Sequence, residues 1–278
     1  MINQYQTRKV EIRLTVFNIY KLNDNDQLDL FFSKHDGSID LQKVMEKMEE
    51  FTSPNENGVI NGEGFLKIRM EKILDHSLIE SFATGRGSLG YYNQAYFSDS
   101  DENVTSQRRE YSFFSKARIF LTEDNLLIIF CDDTAEEKIK SNVKNLVESL
   151  GFDVSNLRLS DKLMRKVRSK YKWNEVRLEK VDNEKDSTKK VYYEIDTADS
   201  DNESLIDQIY KDQGKMVQIS FEMPSFEETD GPNLKTVKLY KNDNRIVLNS
   251  SEFSGFDNQK NFVIFLSYKL IELENEED

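Results

Sequence analysis

Residues 117–121 and 126–131 are two apolar runs separated by the polar residues Thr122, Glu123, Asp124 and Asn125, and no other stretch limits the possible folds of this chain as tightly. Runs of strand length around a short polar break predict a β-hairpin. Thr134, Ala135, Glu136 and Glu137 follow in the order of a capping box, the hydroxyl reaching forward and the Glu137 carboxylate back to the amides that open a helix. Ala135, Ile139, Val143, Leu146, Val147 and Leu150 then recur on one helical face, and Gly151 stands where a C-cap glycine belongs. Phe152, Val154 and Leu157 lead back into a strand. This order, strand, strand, helix, strand, predicts an α+β protein of antiparallel sheets with packed helices.

Other segments extend the pattern. Residues 8–20 alternate Val10, Ile12, Leu14 and Val16 with Lys9, Glu11 and Arg13, as a strand wet on one side does. Leu28, Leu30 and Phe32 mark a short extended piece. A helix is expected from Ser38, with Leu41, Val44, Met45, Met48 and Phe51 inward and Asp36 or Ser38 as its cap, before Pro54 and the glycines at 58, 62 and 64 end it. Residues 65–74 alternate as a strand. Residues 75–112 show no regular period and read as loops: GRGSLG at 85–90, then a mobile acidic surface stretch, SDSDENVTSQRRE. Further strands are expected at 173–181, 189–195, 216–223, 234–240 and 245–248, and a short helix around Leu205, Ile206, Ile209 and Tyr210. Residues 261–273 carry both periods and are read as a helix. The division expected is into segments 1–112, 113–182 and 183–278, arranged in two lobes.

Charge is distributed unevenly. The formal net charge is -13, yet residues 157–182 carry a net +5 between segments of -8 and -10. Within residues 158–180 lie nine Lys or Arg against three acids. A helix capped by Ser160 or Asp161 would bury Leu163, Met164, Val167 and Tyr171 and leave Lys162, Arg165, Lys166, Arg168 and Lys170 on the other face. With Arg158 and Lys172, these cations form a strip that fits a phosphate backbone, the surrounding acidic surface restricting where it enters. Arg108, Arg109, Lys116 and Arg118 form a smaller cluster that extends the track. The competing reading is that the cations pair with the protein's own carboxylates.

Chemistry-bearing motifs are sparse. The single cysteine, Cys131, excludes an intramolecular disulfide and a cysteine-based zinc site within one chain, which fits a reducing, cytoplasmic setting. His35 and His76 have no Cys or third His to join them. The G-x-G-x-x-G pattern of Gly85, Gly87 and Gly90 lacks the strand and helix a dinucleotide site requires. Glu136-x-Lys138 resembles a nuclease fragment but falls at a helix start, and the acidic clusters at 99–102, 196–203 and 227–230 read as solvated loops. Trp173 follows the basic helix and is a candidate for base stacking, with a core position the plainer alternative. No window has the apolar length of a membrane span or signal peptide. Neither cofactor nor metal is expected.

Residues 117–148 (ARIFLTEDNLLIIFCDDTAEEKIKSNVKNLVE) resemble the corresponding unit of the recombination-associated RdgC proteins, with their polar-turn hairpin, Cys-Asp-Asp exit and amphipathic helix. The order of elements is also similar to the lambda exclusion protein RexA and, more loosely, to the DNA-binding subunit of the Kiwa phage-defence system. A second similarity is the end of the chain, TVKLYKNDNRIVLNSSEFSGFDNQKNFVIFLSYKLIEL. The resemblance assigns no individual residue. It implies a non-enzymatic homodimer that binds double-stranded DNA with little sequence preference, in phage exclusion, antiviral defence or control of recombination. RdgC-like proteins are acidic overall with a basic inner surface, which reconciles DNA binding with the net charge. The alternatives are an acidic protein-interaction or DNA-mimic inhibitor protein and, third, a metal-dependent nuclease.

Overall fold

A computed structural model of the chain describes residues 13–22, 32–34, 36–98, 100, 103–182, 187–196, 204–225 and 233–276. The expected piece at Leu28 and Leu30, His35 and most of the acidic clusters lie outside these residues. The fold is α+β, with antiparallel strands and helices in the order β1 (Leu14–Leu22), α1 (Leu41–Glu49), β2 (Asn55–Glu56), β3 (Val59–Ile60), β4 (Gly64–Ile73), β5 (His76–Ser98), β6 (Asn103–Thr122), β7 (Leu126–Cys131), α2 (Lys140–Glu148), β8 (Val154–Asn156), α3 (Asp161–Lys170), β9 (Lys172–Glu179), β10 (Lys190–Glu194), α4 (Leu205–Tyr210), β11 (Lys215–Pro224), β12 (Leu234–Tyr240), β13 (Arg245–Asn249) and α5 (Phe256–Asn275).

Contacts group Phe17–Leu157 into one compact unit and the residues up to Val16 with Arg158–Asp278 into another. These divisions differ from the expected 1–112, 113–182 and 183–278: the first boundary would cut β6, which runs unbroken from Asn103 to Thr122.

In the unit Phe17–Leu157 the strand order is β1-β7-β6-β5-β4, with β8 paired to β1. The hairpin expected at 117–131 is β6–β7, in register from Arg118↔Phe130 to Leu121↔Leu127. Ile79, Ala83, Ala117, Ile119, Leu121, Leu127, Ile129 and Cys131 form one sheet face, and Val44 and Met48 of α1 and Val143 and Val147 of α2 complete its buried core. The helix caps differ from those expected. Asp40, not Asp36 or Ser38, accepts the amide of Lys43 to start α1. No Thr134 capping box forms. Asp133 instead accepts the amide of Ala135 and Glu136 that of Asp132, and a 3-10 turn at Glu136–Ile139 precedes α2.

The largest departure lies in residues 75–112. Instead of loops they form most of β5 and β6, paired from Leu78↔Thr122 to Ser98↔Asn103 with one register shift between Ser88 and Tyr91. β4 accompanies β5 only as far as Gly64↔Thr84, and β7 accompanies β6 only from Arg118 onward. Past those points the two strands run on as a ribbon, and nearly every residue in 88–98 and 103–112 is exposed. At roughly 3.4 Å per residue this arm is about 30 Å long. At its root Gly87 lets the Phe113 ring lie across the strand: an added Cβ would stand 2.6 Å from that ring and displace it.

In the other unit the order is β10-β9-β11-β12-β13. α3 starts at its expected cap, Ser160, whose Oγ accepts the amide of Leu163, and it buries Leu163, Met164 and Val167. Residues 261–273 lie within helix α5, as the sequence indicates. Gln259 of α5 donates to Thr15, whose hydroxyl donates to the carbonyl of Leu248, so that the start of β1 is held beside β13.

Cys131 is buried, and burial, followed by the charges of Glu136 and Glu137, pushes its thiol up to about 12. The folded protein is therefore expected to resist iodoacetamide at mildly alkaline pH and to label readily in guanidinium. Equal labelling rates in the two conditions would contradict this placement.

Candidate nucleic-acid interface

The basic helix does not offer its cations outward as a set. Arg165 Nε lies 3.1 Å from Asp161 Oδ1, and its terminal nitrogens donate to the carbonyls of Lys211 at 2.6 Å and Gly214 at 3.2 Å. Lys166 donates to the carbonyls of Leu273 and Glu276, at the C-terminal end of α5 where backbone acceptors lack helical partners. Arg168 meets Asp207 at 2.5 Å and lies 5.0 Å from the Trp173 ring centre. Lys170 meets the Glu276 carboxylate at 2.5 Å. The sequence places these residues on the polar face of α3 correctly, but the reading of them as a free strip is corrected: four of its members are occupied by α4, α5 and neighbouring turns. Arg158, Lys162 and Lys172 are exposed.

Trp173 is part of the same internal network. Its ring stands edge-on to Tyr193 at 5.9 Å, and the Tyr193 hydroxyl donates to Asp207 at 2.6 Å. Burial, then the hydrogen bond to Asp207, raises the Tyr193 pKa well above the usual phenol range. The plainer alternative given for Trp173, a packed position, fits this geometry.

The smaller cluster divides in two. At the root of the arm, Arg118 pairs with Glu80, which is 2% exposed and also accepts from Arg69 at 2.8 Å. Arg118 also lies 4.3 Å from the Phe82 ring centre. Lys116 meets Asp132 at 2.5 Å and Glu136 at 3.4 Å. Burial works against the Lys116 ammonium, but the hydrogen bond and charge of Asp132 outweigh it and its pKa is raised. A cavity of about 260 Å³ lined by Lys67, Arg69, Glu80, Ser81, Phe82 and Arg118 opens here, its arginines already bound to Glu80.

Arg108 and Arg109 behave differently. Both are exposed on β6, and among the described residues neither meets a carboxylate. Arg108 stacks 4.0 Å from the Tyr91 ring centre, and Arg109 donates to the Tyr96 hydroxyl at 2.8 Å and to Gln107 at 3.2 Å. A guanidinium held on an aromatic face keeps its full charge, unlike one neutralised by a carboxylate.

Strand register gives the arm two unlike faces, since directly opposed residues share a side. Tyr92/Arg109, Gln94/Gln107 and Tyr96/Thr105 make a hydrogen-bonding face; Asn93/Arg108, Ala95/Ser106 and Phe97/Val104 make the other, apolar toward the tip. Arg86, on the latter side, is paired with Glu110 at 2.7 Å. Sequence reasoning missed Tyr91, Gln94 and Tyr96. The available signal was the absence of any charge between residues 87 and 98 in a chain that is 32% charged.

Arg168→Glu is expected to lower folding stability by about 2 kcal/mol, because it leaves Asp207 facing a like charge at a mostly buried site. Arg108→Glu should cost less than about 0.5 kcal/mol. Urea melts of the two variants check the contrast, and equal losses would mean that α3 is no more committed than the arm.

Among the described residues no group of three or more His, Cys, Asp or Glu is placed to hold a metal ion, and no helix is long and apolar enough to cross a membrane. Compared with known proteins, the chain matches no family model and no curated sequence.

Proposed function

We propose that this protein is a non-enzymatic, cytoplasmic binder of double-stranded DNA with little sequence preference, and that the β5–β6 arm, not α3, is its contact element. The observation that carries this reading is the pair of exposed guanidiniums, Arg108 and Arg109, which among the described residues are held on tyrosines and meet no carboxylate, while Arg165, Lys166, Arg168 and Lys170 of α3 are spent within the fold. Long flexible arginines on an exposed ribbon reach backbone phosphates without reading bases, which accounts for sequence independence. The resemblance to RdgC and RexA supports the same ligand, and with it a two-lobed protein acting in phage exclusion, defence or recombination control.

The change of element changes the expected salt dependence. Six phosphate contacts from α3 would give a log-log slope of about -5, whereas two from one arm give about -2. Anisotropy with random duplex at several salt concentrations should show the shallow slope, and Arg108→Glu with Arg109→Glu should abolish low-salt binding. Absence of binding by the unmodified chain at low salt would refute the proposal. Labelled duplex should also survive incubation with Mg²⁺ or Mn²⁺; cleavage would indicate a nuclease instead.

A second reading, docking of a protein partner, is favoured by Leu89, Tyr91, Phe97, Val104 and Tyr111, all between 57% and 66% exposed on the arm. Phe97→Ser with Val104→Ser separates the two. DNA binding that survives this change but not the arginine reversals supports the first reading, and the opposite pattern supports the second.

A further inference from the structure

The arm's two outer edges are chemically unequal. Among the described residues, the outer side of β5 has no neighbouring strand past Thr84, and that of β6 has none before Arg118. Exposed edges present unpaired amides and carbonyls, and proteins ordinarily guard them with charge or proline. β6 is guarded in this way by Arg108, Arg109 and Glu110 in succession. β5 is not: residues 87–98, GSLGYYNQAYFS, contain no charged residue and no proline. A two-stranded ribbon by itself is also marginal in water, and added strands are what stabilise it.

From these features we infer that the β5 edge of the arm pairs antiparallel with the same edge of a second copy, joining two ribbons into a four-stranded sheet. The choice of a second copy rests on the self-complementarity of the segment. With Gln94 on the two-fold axis, Tyr92 falls opposite the partner's Tyr96, Tyr91 opposite the partner's Phe97, and Asn93 opposite the partner's Ala95. Two of the three matches set aromatic against aromatic, a combination that stabilises neighbouring strands; the third sets small against small, and no like charges meet. Because the axis is perpendicular to the sheet, the hydrogen-bonding face stays on one side and carries Arg109 from both copies. The pairing stands independently of DNA binding, since it is built from backbone groups and uncharged side chains.

The test uses the full chain in sedimentation equilibrium across a concentration series. The unmodified protein should show the mass of two chains. Gln94→Lys, which sets like charges across the axis, should weaken self-association by at least about tenfold. Gln107→Lys, directly opposite Gln94 but on the far strand, should leave the two-chain mass in place. Register is read separately: Gln94→Cys should form an interchain disulfide under mild oxidation, while Gln107→Cys should not, and buried Cys131 does not compete. A single-chain mass for the unmodified protein at every concentration would overturn the inference. So would a Gln94→Lys protein that associates undiminished, equal dissociation by Gln107→Lys, or no disulfide from Gln94→Cys.

Discussion

The antiparallel register between β5 and β6 is the constraint on which the unit Phe17–Leu157 and its candidate site depend. The same two strands serve two environments. At their root they carry Ile79, Ala83, Ala117 and Ile119 into the core, where β4, β7, α1 and α2 close around them. Beyond Thr84 and Arg118 the ladder of backbone hydrogen bonds continues without a core, fixed in register by the buried part. The shift between Ser88 and Tyr91 falls where the ribbon leaves the sheet, the kind of place where a bulge turns a strand and increases its twist. The arm is thus an extension of core strands, which is how side chains with little packing of their own acquire defined positions.

Electrostatics is arranged around the acidic excess. α3 brings a local positive charge into a chain with a net charge of -13, and most of it meets oxygen atoms of the same unit. Lys166 and Lys170 reach the end of α5, where helix carbonyls point outward and the helix dipole favours a cation. Arg168 joins α3 to α4 through Asp207, and Arg165 ties α3 to the turn before β11. The basic helix therefore fastens elements that local sequence alone would not hold in place. Charge available to an outside polyanion is left to side chains that meet no carboxylate, and among the described residues Arg108 and Arg109 contact tyrosines and a glutamine instead.

Much of the fold was legible in the sequence because one-sided burial leaves a periodic trace. The hairpin at 117–131, the amphipathic α1, α2 and α3, and the paired strands β9 and β10 all alternate or recur as half-buried elements must. The arm left no such trace: with both faces in water, polar and aromatic residues occur on either side and no period of two in hydropathy appears. The expected caps of α1 and α2 failed for a related reason, since several nearby oxygens could accept the first amides and the choice fell to backbone geometry.

The sequence by itself determined the α+β class, the order of most elements and which residues would be charged, since these follow from local periodicity and side-chain chemistry. Only the tertiary structure decided which cations are occupied and which remain available. That outcome depends on distances between residues far apart in the chain, such as Lys170 to Glu276 and Arg168 to Asp207, and no local pattern encodes them.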